Sequence, residues 1–244
     1  MGFLDIFFAT ASMSTYYPPM KTLNNVLRGK PEAALFLGGY ITSSRTAGRI
    51  ASQVQNITGL KIMILQTHVT PGIRIRGLRC TSHLVSYKDG LGVKEVPTFK
   101  LANHTASTFE SHSRKFKILF SSTMGVMLYV ANKSEPLNKH NQICAHSGLN
   151  YRDTMCSAVL SHLPFQTEQS EWGRYAVWKQ HDRDHYISWE DQYSMDYKMK
   201  AFISKVVNGW AVFNIELDEH KVCDTGKSFE MLKLISTKAR SRIP

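Results

Sequence analysis

Four continuous apolar stretches constrain the fold of this chain more than any other feature. Each has the composition and length of a strand buried on both faces. Segments with helical spacing separate them, among them RTAGRIASQV (45–54), SMDYKMKAFISKVV (194–207) and SFEMLKLIS (228–236). Buried strands that alternate with helices predict an α/β fold with parallel β/α units. The four stretches are AALFLGGY (33–40), LKIMILQTH (60–68), FKILFSSTMGVMLYV (116–130) and GWAVFNIELDE (209–219).

Two regions between these strands lack that pattern. Residues 69–105 are loop-rich, and we expect a helix only near 108–114. Residues 132–191 are polar, aromatic and rich in turn residues, with no helical period over most of their length. We therefore predict that the second region forms a small α+β insertion before the last strand.

The net charge of +11, from 30 Lys and Arg against 19 Asp and Glu, favours a polyanionic partner. The basic residues are scattered, and the densest runs are short: 114–117 (RKFK) and 238–242 (KARSR). We expect no specific nucleic-acid binding, because neither run is long or interleaved with aromatic residues. A basic protein that binds sulfated glycans stays open as one hypothesis.

Cysteines and glycosylation sequons favour an extracellular protein. The four cysteines contain no C-x-x-C pair, which disfavours a zinc site, and their even number is compatible with two disulfides. N-glycosylation sequons begin at Asn56, Asn103 and Asn132. We expect residues 1–21 to be either a poor signal peptide or the start of a truncated chain. No apolar run in the sequence is long enough for a helix that spans a membrane.

Three segments resemble one known family in their order and spacing. SGLNYRDTMCSAV (147–159) resembles G-x-L-x-Y-x-E-I-C, and YISWEDQYSMDYKMK (186–200) resembles W-V-x-Y-D-D-x-x-S-x-x-x-K. GWAVFNIELDEHKVC (209–223) resembles G-G-x-M-V-W-x-L-D-L-D-D-F with a cysteine shortly after it. These are patterns of the family-18 glycoside hydrolases, which include the chitinases and the chitinase-like lectins.

The resemblance implies part of a (β/α)8 TIM-type barrel, strands 5 to 8, over residues 22–240, with the insertion at about 132–191. It also implies a disulfide between Cys156 and Cys223, which would close a loop of more than sixty residues and stabilise the fold by a few kcal/mol. Cys80 and Cys144 remain as a second, less supported pair. A half-barrel has open sheet edges, so we expect poor stability unless an oligomer or a partner covers them.

The catalytic strand of that family is missing from this chain. The family's general acid is the glutamate of D-G-x-D-x-D-x-E, and the N-acetyl group of the substrate is the nucleophile. DGLGVKEVP (89–97) matches this motif only superficially: Gly92 and Lys94 occupy the aspartate positions, and Glu95 would face the opposite side of a strand. We interpret this segment as a Gly-rich loop and predict no catalytic residues.

Three residues are candidates for carbohydrate binding. By the resemblance, Phe213 takes the position of the tryptophan under the central sugar, and His68 lies in the segment that replaces a Tyr-Asp pair. Trp189 belongs to an aromatic cluster that either stacks on sugars or packs a small domain. His181 and His185 are four residues apart, but no helix and no third ligand are expected there, so we predict neither a metal nor a cofactor.

Our leading hypothesis is a secreted, catalytically inactive chitinase-like protein with residual binding of chitin or other N-acetylglucosamine-containing glycans. One alternative is a fragment of an active family-18 chitinase, a hydrolase of β-1,4 N-acetylglucosamine polymers, whose catalytic strand lies upstream. The other is the basic protein that binds sulfated glycans.

Overall fold

The computed structural model of the chain combines a mainly parallel sheet with an antiparallel sheet. It describes residues 4–5, 22, 25–26, 35–39, 44–54, 57, 59–68, 79–80, 99–111, 115–132, 142–156, 166–167, 173–203, 206–218 and 229–240. Contacts divide the chain into two compact units. The first comprises Met1–Thr67, Tyr87–Ser121 and Phe202–Ala211, and the second comprises His68–Ser86, Ser122–Ala201 and Val212–Pro244.

The helices and strands follow one another along the chain in this order: β1 (Leu4–Asp5), β2 (Leu35–Gly39), α1 (Ser44–Val54), β3 (Leu60–Leu65), β4 (Arg79–Cys80), α2 (Phe99–Ser111), β5 (Lys117–Thr123), β6 (Val126–Ala131), β7 (Gln142–Asn150), a 3-10 helix (Arg152–Cys156), β8 (Gln166–Thr167), β9 (Arg174–Gln180), β10 (Arg183–Trp189), α3 (Gln192–Phe202), β11 (Gly209–Phe213), a second 3-10 helix (Ile215–Leu217) and α4 (Glu230–Arg240).

Within the described ranges, the first sheet contains five strands in the order β1-β2-β3-β5-β11. The pairs β1–β2, β2–β3 and β3–β5 are parallel. The strands therefore join the sheet in chain order, each beside the one before, with helices α1 and α2 in the connections. This confirms the predicted α/β class, and each of the four apolar stretches contributes a strand to this sheet. The predicted burial on both faces is wrong for β11, whose residues are all half-buried, and the short β1, which pairs with Leu37 and Gly38, was not predicted.

The prediction of one long strand over 116–130 is wrong, because this stretch forms β5 and β6 in two different sheets. Strand β5 ends at Thr123, and Met124 and Gly125 connect it to β6, which begins at Val126. A Cβ atom on Gly125 would lie 2.8 Å from the carbonyl oxygen of Asn150 and 2.8 Å from Cδ1 of Leu217, so only glycine fits there. Ser121, Ser122 and Thr123, just before the break between the two strands, are polar but 0% exposed, so the stretch has the composition of one continuous buried strand.

Helix α2 begins at Phe99, earlier than the predicted 108–114. Its buried stripe consists of Phe99, Ala102, Thr105, Ala106 and Phe109, which is helical spacing. Thr105 satisfies its hydroxyl on the carbonyl of Leu101 at 2.8 Å, and Ser107 and Thr108 do the same on residues four positions earlier. These polar residues hide the helical pattern in the sequence.

Among the described residues, the antiparallel sheet has six strands in the order β4-β7-β6-β10-β9-β8, and β7 to β10 lie in the region that the sequence predicted as an α+β insertion. Strands β9 and β10 form a hairpin in which Gln180 pairs with Arg183. The two turn residues, His181 and Asp182, have φ of 49° and 57°, as a type I′ turn requires. In the described part of the chain, no helix is long and apolar enough to cross a membrane.

Candidate functional site

The carboxyl ends of two strands bring together two of the three predicted sugar-binding residues. Phe213 is the last residue of β11, and His68 follows β3 by three residues. Their ring centroids are 4.8 Å apart with an interplanar angle of 37°. Phe213 is half-buried, whereas His68 is only 1% exposed. His68 therefore supports the Phe213 ring from inside, and Phe213 is the ring that a ligand can reach.

The turn after Phe213 is fixed by contacts to the end of β5. The backbone N–H of Met124 donates to the carbonyl of Phe213 at 3.1 Å. The hydroxyl of Thr123 donates to Oδ1 of Asn214 at 3.0 Å. Asn214 has φ 53° and ψ 48°, a left-handed conformation that asparagine tolerates better than most residues. These contacts hold the backbone on both sides of the aromatic ring.

The neighbouring residue of β5, Ser122, leads into a buried ion pair. Lys198 Nζ lies 2.7 Å from Oε1 of Glu190, and both side chains are 0% exposed. The hydroxyl of Ser122 lies 3.2 Å from each carboxylate oxygen of Glu190. Side chains alternate between the two faces of a strand. Ser122 therefore contacts the ion pair on one face of β5, and Thr123 contacts Asn214 on the other.

Arg152 extends the same network to the end of the last strand. Its Nη1 donates to the backbone carbonyl of Glu190 at 2.8 Å, and its Nε lies 3.6 Å from Oδ1 of Asp218. Asp218, which is fully buried, also accepts a hydrogen bond from the N–H of Leu232 at 3.2 Å, in the first turn of α4. The three segments that carry the family resemblance therefore meet here: one supplies Arg152, the next Glu190 and Lys198, and the last Asp218.

Burial and the ion pair act on these titrating groups in opposite directions. Desolvation raises the pKa of Glu190 and lowers the pKa of Lys198, because it penalises the charged form of each. The opposite charge of the partner limits both shifts, and Ser122 and Arg152 further favour the Glu190 carboxylate. Glu190 is sealed from solvent, so the geometry suits it to holding the fold together and not to protonating a substrate.

The residues between Glu190 and Lys198 start helix α3. The N–H of Ser194 donates to Oδ1 of Asp191 at 2.8 Å, and the N–H of Asp191 lies 3.1 Å from the hydroxyl of Ser194. This reciprocal arrangement is a capping box. It explains the spacing of the resembling segment: the carboxylate, the cap and the lysine of E-D-x-x-S-x-x-x-K each have a separate structural task. The ion pair was not predicted from this segment, because Glu190 directly follows β10 whereas Lys198 lies within α3, and no single period relates them.

His68 differs chemically from an ordinary surface histidine. Burial lowers its pKa to about 3, so its imidazole is neutral at any physiological pH. It can act as a hydrogen-bonding and packing group but not as a cation or a general acid near neutrality. Thr67, the residue before His68, is also a buried polar residue. It shares three hydrogen bonds of 2.7–2.9 Å with Ser121 of β5, which is buried too.

The third candidate, Trp189, lies elsewhere. It is 1% exposed and packs in a core cluster of the antiparallel sheet with Val126, Ala176 and Ile187. Its burial favours the packing interpretation of the aromatic region, and its contact with a glycan stays a prediction. Nearby, Trp178 stacks on His185 with centroids 5.1 Å apart. Within the described residues, no group of three or more His, Cys, Asp or Glu side chains could hold a metal ion.

The predicted disulfides and glycans stay predictions. Cys144, on β7, is 4% exposed and disulfide-bonded, and the pairing of β4 with β7 sets Cys80 opposite Gln142, two residues away. Cys156 ends the first 3-10 helix, while Cys223 lies outside the described residues. Asn103 is exposed on α2 and Asn132 is half-buried after β6. Asn56 and the segment 89–97 lie outside the described residues.

Comparison with solved structures identifies the fold as that of part of a family-18 chitinase catalytic domain. The chain is similar to a family-18 N-acetylglucosaminidase from Paenibacillus barengoltzii, with a TM-score of 0.61 and 16% identity over 96% of this chain and 69% of that one. It is also similar to catalytic domain 2 of the Ostrinia furnacalis Group II chitinase, with a TM-score of 0.65 and 12% identity over 99% and 67%. A third similar structure is that of YKL-39, solved in the presence of chitooligosaccharides. Its TM-score is 0.63, with 10% identity over 97% of this chain and 68% of that one.

These similarities confirm the predicted resemblance at the level of the fold. Identity of 10–16% carries no activity from one protein to the other. The chain spans about two thirds of the length of these neighbours. No family model matches the sequence, and no curated protein matches it.

Proposed function

We propose that this chain is an extracellular, catalytically inactive chitinase-like protein that binds chito-oligosaccharides at Phe213. The observation that carries the proposal is the half-exposed Phe213 ring, held against buried His68 at the carboxyl end of a strand in a family-18 fold. In (β/α)8 enzymes this end of the strands carries the ligand site. The architecture we propose is accordingly a partial barrel of this type.

The chemistry of Phe213 supports binding of an uncharged sugar. An aromatic face contacts the axial C–H groups of a pyranose ring through apolar and CH–π interactions. The Met124 and Thr123 contacts hold the backbone around Phe213, and His68 packs against its ring, so little conformational entropy is lost on binding. Two of the structural neighbours were solved with such ligands, a mutant of the Ostrinia Group II domain with a penta-N-acetylchito-oligosaccharide and YKL-39 with chitooligosaccharides.

The sequence supports the absence of hydrolysis. D-G-x-D-x-D-x-E does not occur in these 244 residues. Near the proposed sugar site, His68 is neutral and Glu190 is fully buried, so neither can act as the general acid. Our second candidate function is a part of an active chitinase in which the catalytic strand comes from sequence beyond this chain.

Binding and turnover assays with N-acetylglucosamine pentamer test the proposal. We expect saturable binding with no release of shorter oligomers. Phe213→Ala should weaken binding about five- to 150-fold, since it removes an aromatic contact of about 1–3 kcal/mol. Tyr193→Ala is the matched control, because Tyr193 is an aromatic residue 58% exposed on α3, and it should leave the affinity unchanged. Hydrolysis by the purified chain would overturn the inactive assignment and favour the second candidate.

A further inference from the structure

A second surface feature, separate from the Phe213 site, is a basic cleft in the first unit. Its volume is about 580 Å³, and its lining consists of Lys61, Ile62, Glu110, Lys115, Phe116, Lys117 and Asn208. It lies where β3 and β5 begin, whereas Phe213 lies at the end of β11. Lys115 and Lys117 belong to the basic run at 114–117, which takes no part in the proposed chito-oligosaccharide site.

The backbone sets the three lysines of this cleft close together. Ile62 of β3 is paired in register with Lys117 of β5, so Lys61 precedes the partner of Lys117 by one residue. Because side chains alternate, Lys61 and Lys117 leave opposite faces of the sheet where the two strands begin, and both line the cleft. Lys115 precedes Lys117 by two residues, about 7 Å along the chain. All three side chains are exposed. Among the described lining residues, three positive charges face one negative charge, that of Glu110, so the cleft favours an anion.

The floor of the cleft is well ordered by its own contacts. Asn208 accepts from the N–H of Ile118 through Oδ1 at 3.0 Å and donates its own N–H to the Ile118 carbonyl at 2.8 Å. Phe116 is 7% exposed and packs edge-on against Phe109, with ring centroids 5.7 Å apart. The lysine stems therefore rise from a fixed backbone, and only their flexible ends adapt to a ligand.

The character of the lining indicates which anion fits. Proteins that bind single-stranded nucleic acid stack the bases on accessible aromatic rings, whereas Phe116, the aromatic residue in the described part of the lining, is buried. Lysine ammonium groups act as point charges without the planar geometry of arginine, which suits sulfate groups spaced along a flexible chain. An uncharged chitin oligomer gains nothing from this charge. We propose that the cleft binds a sulfated glycan chain, independently of any chito-oligosaccharide at Phe213.

Heparin octasaccharide serves as the probe, with affinity measured by titration at 50 and 150 mM salt. The triple variant Lys61→Gln, Lys115→Gln, Lys117→Gln should bind about tenfold more weakly and elute from heparin resin at lower salt. The matched control is Lys179→Gln, Lys200→Gln, Lys233→Gln, which removes the same charge from exposed lysines of the second unit. It should retain nearly all of the affinity.

Glu110→Gln provides a variant whose effect cannot come from misfolding, since removing the negative charge of the cleft should strengthen heparin binding two- to threefold. An equal loss in both triple variants would overturn the proposal and assign heparin binding to diffuse charge. The proposal would also be overturned if the cleft triple variant weakened the binding of a single-stranded DNA probe as much as that of heparin. The cleft would then be a general polyanion site. Loss of heparin binding in Phe213→Ala would contradict the independence of the two sites.

Discussion

The buried pair of Glu190 and Lys198 gives the sharpest test of the structural account, through Lys198→Met. Both side chains are 0% exposed, and the 2.7 Å contact joins them directly. Methionine fills most of the space of the lysine but leaves the carboxylate with Ser122 as its remaining side-chain donor, at 3.2 Å. Removing one partner of a buried ion pair costs about 3–5 kcal/mol. That is a large share of the 5–15 kcal/mol typical of a folded domain.

Equilibrium urea denaturation measures this cost. The loss should grow with pH: without Lys198 the pKa of Glu190 rises further, and a carboxyl whose folded pKa is raised loses stability as pH increases above its unfolded value, near 4.5. The double variant Glu190→Gln, Lys198→Met should recover most of the loss, because no unpaired charge is left. Lys200→Met, whose lysine is 61% exposed beside Asp196, is the control and should change stability by less than about 0.5 kcal/mol. A Lys198→Met loss below about 1 kcal/mol, or one independent of pH, would refute the reasoning.

Two further predictions concern the groups around the site. Because the pKa of His68 falls from 6.5 to about 3 on folding, stability should drop as pH falls through that window, by about 3 kcal/mol between pH 7 and pH 4. His68→Gln should remove this part of the slope in urea titrations, and an unchanged slope would contradict the burial of a neutral imidazole. Non-reducing peptide mapping by mass spectrometry should recover Cys80 joined to Cys144 and Cys156 joined to Cys223; any other pairing would contradict the predicted connectivity.

The strands were predictable from the sequence wherever burial alone decides the pattern. Continuous apolar runs identified β2, β3 and β5 because both faces of these strands are largely covered. The same pattern identified β11, although all of its residues are only half-buried. The same signal failed at Gly125, where two buried strands follow each other and the reason for the break is a steric contact with Asn150, far along the chain. Helix α2 was missed in its first half, since its Thr and Ser hydroxyls satisfy themselves on the helix backbone.

The candidate site was predictable only in part. Phe213 and His68 came from the family resemblance, but their contact was not predicted, since β5 lies between β3 and β11 in the sheet. The network of Ser122, Arg152, Glu190, Lys198 and Asp218 was not found, because its members are far apart in sequence and no periodic pattern connects them. Four of these residues, all except Ser122, lie in the segments that resemble family-18 patterns, but the patterns do not predict that the residues contact one another.

The most direct test of the central claim is a crystal structure of the chain with penta-N-acetylchitopentaose. We predict an intact oligomer with one pyranose ring stacked on Phe213, about 4 Å from its face, and His68 unmoved behind it. An oligomer bound elsewhere with Phe213 uncovered, or a cleaved oligomer, would contradict the account.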